Sequence, residues 1–132
     1  MKTQRYEDFK RAHANLAAYR TAPTEFDVLT LTGFVALYEI CFEQAWKAMK
    51  EALEQSGAFE TKVGSSRMVL KQAFAAHMID DEQGWLEALE AHNEATHSYN
   101  EETAQSIVAG TRATYLGLFD ALEAELAAGW YA

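Results

Sequence analysis

Apolar residues recur along this chain at intervals of three and four, the period of an amphipathic helix. Tyr6, Phe9, His13, Leu16 and Ala17 share one such face and predict a first helix over about residues 3–20. The run Thr21-Ala22-Pro23-Thr24 breaks it, because a residue before proline is pushed out of the helical region. A long second helix follows, from about Glu25 to Ser56, with the stripe Val28, Leu31, Val35, Tyr38, Phe42, Trp46, Met49 and Leu53. Gly33 inside it costs about 1 kcal/mol relative to alanine, so a close helix crossing or a bend is expected there. Gly57 supplies a left-handed stop.

Ser65 or Ser66 caps a third helix carrying Val69, Leu70, Ala73, Phe74 and Met78. Asp80 and Asp81 close it and place negative charge at the start of a fourth, near residues 82–95, with Trp85, Leu86 and Leu89 on its apolar face. Asn100 caps a fifth helix that continues through Ile107, Thr111, Tyr115, Leu118, Leu122 and Leu126. No repeat or linker interrupts the pattern. The expectation is one all-α domain over residues 1–132, an antiparallel up-and-down bundle of four to five helices.

Composition supports this reading. Apolar residues make up 49% of the 132, enough for a core, and a single proline with seven glycines leaves few of the punctuators an all-β fold needs. The lone cysteine, Cys41, excludes an intrachain disulfide and a cysteine-based zinc site, and its apolar surroundings suit a buried, inert thiol. No apolar stretch is read as long enough to span a membrane, and the opening residues Met1 to Arg5 lead into a charged helix unlike a signal peptide, so the cytoplasm is expected. A net charge of −9 speaks against DNA and against broad binding of long nucleic acids, and leaves open RNA or a nucleotide gripped locally. The three tryptophans, six tyrosines and seven phenylalanines are many for a small bundle and favour a homodimer.

Candidate chemistry concentrates in His92-Asn93-Glu94-Ala95-Thr96-His97-Ser98-Tyr99. His92 and His97 lie about 140° apart on an ideal helix, so serving one site requires a break or bend after Asn93. Thr96, Ser98 and Asn100, whose side chains compete for backbone hydrogen bonds, favour one. The plain alternative is a pair of satisfied surface histidines. A di-iron site is a poor match. Glu94 and His97 have the Glu-x-x-His spacing, and Glu39 and Glu43 lie one turn apart, but a second Glu-x-x-His is missing. Neither metal nor cofactor is expected. Metal-free phosphoryl chemistry fits better: His97 would take a proton from a ribose hydroxyl while Asn93 and protonated His92 stabilise the developing charge. Tyr99 offers another role, as the acceptor of a nucleotidyl group, with His97 two residues earlier as activating base.

These residues and three further segments resemble a known family. Phe42-Glu43-Gln44-Ala45-Trp46-Lys47-Ala48-Met49-Lys50 resembles its aromatic-Glu-x-x-Trp-Lys-x-x-Lys helix. Ser66 to Phe74 resembles its third helix, Ile79 to Trp85 its turn into the fourth, and Asn93 with His97-Ser98-Tyr99 its signature. In this order they are similar to the HEPN domains that act as substrate-binding or toxin partners of minimal nucleotidyltransferases. The resemblance implies a helical bundle, commonly a two-fold dimer, paired with a transferase that can place AMP on the tyrosine matching Tyr99. In the nuclease members an arginine precedes the asparagine and cuts RNA with the histidine. His92 stands there instead, without a guanidinium's fixed charge and fork, so the resemblance favours a binding subunit over a ribonuclease.

Overall fold

Helix caps set the frame. A computed structural model describes residues 3–21, 27–57, 64–97 and 99–130. Thr3, Asp27, Ser65 and Asn100 accept backbone N–H bonds from Tyr6, Thr30, Met68 and Thr103, which starts α1 (Gln4–Ala17), α2 (Val28–Gln55), α3 (Ser66–Ala75) and α5 (Glu101–Gly110). Asp81 does the same for α4 (Glu82–His97), taking the Gly84 N–H at 2.9 Å, and a Cβ on Gly84 would overlap that carboxylate. Gly57, at φ +76°, follows α2 as expected, whereas α3 ends on His77 at φ +63°, a left-handed position without glycine's freedom.

The expected single fifth helix contains a π-helical turn. Helical backbone angles carry the chain from α5 through Thr111–Tyr115 into α6 (Leu116–Gly129). The Thr111 hydroxyl donates to the Ile107 carbonyl at 2.6 Å, and the Tyr115 ring lies where a Cβ on Gly110 would stand. No strand occurs among the described residues, and the helices form the expected all-α bundle.

Helix α2 is the hub and packs against α1, α3, α4, α5 and α6. Its inward stripe of Leu31, Val35, Tyr38, Phe42, Met49 and Leu53 is buried. Tyr38, Phe42, Trp85, Phe119 and Phe9 form an aromatic centre with ring centroids 5.5–6.4 Å apart. The Tyr38 hydroxyl donates to the Ala88 carbonyl at 2.6 Å, and burial holds its phenol well above its ordinary pKa. Cys41 is fully buried, and burial pushes its thiol up, as an inert role requires.

Three expectations need correction. Val28 is exposed because the first turn of α2, with Leu29 and Thr30, stands proud of the bundle. Gly33 makes no close helix crossing: a Cβ there would meet nothing within 4 Å, and the helix continues through it. Finally, α2 is long and apolar enough to cross a membrane by length and composition alone. Its eleven buried residues face the other helices, so a core helix accounts for that composition.

Candidate functional site

The fourth helix does not bend where two histidines sharing a site would need it to. It continues through His97, and the Thr96 hydroxyl bonds back to the His92 carbonyl at 3.0 Å, a pairing the helix accommodates. The helix ends at His97. Ser98 lies outside the described residues, and Asn100 restarts the helix as expected. On the unbroken helix Asn93 and His97 are one turn apart, share a side and are exposed. His92 falls on the opposite, inward stripe, seven residues after Trp85.

There His92 is held against α2. Its ring lies over Phe42 at a centroid distance of 5.1 Å, and its Nε2 meets Glu43 Oε1 at 3.1 Å. Its Nδ1 is buried without a partner among the described residues. The imidazole expected to stabilise phosphate charge therefore already faces an anion. Glu43 also approaches the Lys47 ammonium at 3.8 Å. His92 and His97 are not brought to one point.

Tyr99 sits just past α4 with its side chain in solvent, 46% exposed. Its hydroxyl pairs with the Thr32 hydroxyl of α2 at 3.0 Å, which holds the phenol at the surface of the long helix. His97 occupies the last turn of α4 and is exposed. Beyond α4, a hollow of about 300 Å³ is lined by Glu94, Asn100, Glu102, Thr103 and Ser106. Two carboxylates on its wall repel a nucleic-acid backbone. Among the described residues no group of three His, Cys, Asp or Glu side chains is placed to hold a metal ion.

Sequence reasoning missed two members of this arrangement. Thr32 carries no local signal, since it meets Tyr99 across 67 residues. Glu43 lies within the segment quoted for the resemblance, but nothing in that segment pointed to His92.

Beside the site runs the outer face of α2. Leu29, Gly33, Ala36 and Ile40 fall on one side, opposite the buried stripe, and Leu29 and Ile40 are 82% and 51% exposed. Thr32 flanks this strip, so the Tyr99 hydroxyl borders an uncovered apolar surface.

A family model described as nucleotidyltransferase substrate binding protein like matches residues 4–128. Among solved structures, one from Thermus thermophilus superposes with a TM-score of 0.78 at 21% identity, covering 89% of this chain and 98% of that one, a likeness of fold. The comparison with curated proteins returns no match.

Proposed function

This chain belongs to the nucleotidyltransferase substrate binding protein like family, and on that premise we propose that it docks a minimal nucleotidyltransferase and presents Tyr99 as an adenylate acceptor. The observation that carries this reading is the Tyr99 phenol, outside the core, tethered by Thr32 and bordering the exposed strip of α2. In the reaction the phenolic oxygen attacks the α-phosphorus of ATP. A phosphorus–oxygen bond forms to tyrosine, the bond to the β-phosphate breaks and pyrophosphate leaves. His97 is the nearest candidate in sequence to receive the phenolic proton.

As the toxin-type component of such a pair in the cytoplasm, the chain would be altered by that step, since adenylate adds bulk and negative charge beside His97. The test is transfer of labelled AMP by the cognate transferase. Wild type takes label and Tyr99→Phe does not; equal labelling of both rejects the tyrosine role.

A homodimer is part of the same proposal. The apolar strip supports it, because Leu29 and Ile40 at either end of the low-relief pair Gly33 and Ala36 suit a two-fold pairing of like helices. Sedimentation at micromolar concentration should give a dimer that Ile40→Glu dissociates, and a wild-type monomer contradicts it.

Ribonuclease activity is the second reading, favoured by the exposed Asn93 and His97 on one side of α4. The Glu43 carboxylate on His92 weighs against it. Cleavage of single-stranded RNA in chelator that is lost in His97→Ala would support the nuclease, and absence of cleavage would end it.

A further inference from the structure

Helix α3 departs from the acidic character of the rest of the molecule. Residues 61–79 form the chain's longest run without an aspartate or glutamate, and α3 is the one α-helix among the described residues that carries neither. The cations of that run leave the remaining chain more negative than the −9 of the whole. On its packed side α3 buries Val69, Leu70 and Ala73, and it lies against α2 and α4. Its other side is uncovered. Arg67, Lys71 and Phe74, at spacings of four and three, form one row along it, and Met68 and Ala75 form a second row beside the first. All five are exposed, and Phe74 and Met68 are among the few large apolar side chains left so.

The two cations of this face are available to a partner. Arg67 forms no ion pair among the described residues. Lys71 reaches Glu82 of α4 only at 3.6 Å, with half of its side chain still in solvent. Methionine, phenylalanine and arginine are residue types enriched at protein interfaces. Cations set between apolar side chains complement a protein surface that brings carboxylates and apolar groups together. A nucleic-acid strand fits less well, because two phosphate contacts are few against the field of an acidic chain.

Resting on the transferase-docking reading above, we infer that the outer face of α3 is where the nucleotidyltransferase docks, and that the transferase meets it with an acidic, partly apolar surface. One partner can span this face and Tyr99. Helix α4, which packs on α3, is about 24 Å long for its 16 residues, and Tyr99 lies two residues past its end. A compact domain of about 100 residues is wider than that.

Binding of the full chain to the cognate transferase is measured by titration calorimetry. Arg67→Glu/Lys71→Glu should weaken it about tenfold or worse, and Phe74→Ser by a comparable factor. Lys10→Glu/Arg11→Glu makes the same change of charge on the exposed side of α1 and should bind like wild type. The substituted side chains are all exposed, so each variant should melt close to wild type, which separates lost docking from a lost fold. Wild type that does not bind the transferase overturns the docking reading itself. Undiminished binding by the α3 variants, or an equal loss from the α1 variant, overturns this inference and leaves that reading standing. A single-stranded RNA that binds wild type and not Arg67→Glu/Lys71→Glu would assign the face to nucleic acid, and a wild-type dimer dissociated by that variant would assign it to a second copy; either result overturns the inference.

Discussion

Two histidines in this molecule each lie on a phenylalanine and face acidic side chains, yet they are differently satisfied. His13 joins α1 to α6: its ring stacks on Phe9 at 5.8 Å, Nε2 meets Asp120 at 2.7 Å and Nδ1 meets Glu123 at 2.9 Å. Arg20 clamps the same Asp120 through two bonds of 3.0 Å. His92 joins α4 to α2 with one nitrogen on Glu43 and the other buried without a partner among the described residues. Their side chains are similarly covered, at 10% and 15% exposed, so burial alone does not separate them. Complete pairing marks His13 as a clasp between the two ends of the chain. Incomplete pairing marks His92 as a group the fold tolerates at some cost.

The largest expected effect tests the clasp. His13→Ala removes a stacked ring and two carboxylate partners, and should destabilise the protein by about 2–3 kcal/mol in urea titration. His92→Leu should lie within about 1 kcal/mol of wild type, because the unpaired Nδ1 goes while Glu43 keeps Lys47 nearby. Equal losses from the two variants would erase the contrast.

A third prediction sharpens it at a capping carboxylate. The Thr30 backbone N–H, and then its side chain, holds Asp27 below the ordinary carboxylate range. A lowered pKa in the folded state gives stability that is present above the unfolded value and lost as acid reaches the folded one. Asp27→Asn keeps a cap and should flatten that acid dependence, read as melting temperature against pH; an unchanged slope would show that the cap carries no linkage. The smallest effect belongs to Thr32→Val, within about 0.5 kcal/mol in stability, since both hydroxyls of its pair are exposed. A larger loss would mean the Tyr99 tether is structural.

The same contrast explains what could be read from the chain. Tyr6, Phe9, His13 and Leu16 could be placed on one face because helical periodicity is local, and Ser65 and Asn100 because a cap needs only its next three residues. His92 was legible in the same way, through its spacing from Trp85, but a polar side chain hid its place on the inward stripe. The contacts that define the candidate site are long-range: His92 with Glu43 and Tyr99 with Thr32 join α4 and the stretch just past it to α2. No local pattern encodes them. The π-helical turn at Thr111–Tyr115 was equally hidden, since Thr111 and Tyr115 sit in an apolar stripe that a regular helix would also satisfy.

The most direct measurement is peptide-level mass spectrometry of this chain after co-expression with its nucleotidyltransferase. One adenylate on the peptide containing Tyr99, and none in Tyr99→Phe, is the predicted result. Adenylate on another residue, or an unmodified chain beside a demonstrably active transferase, would contradict it.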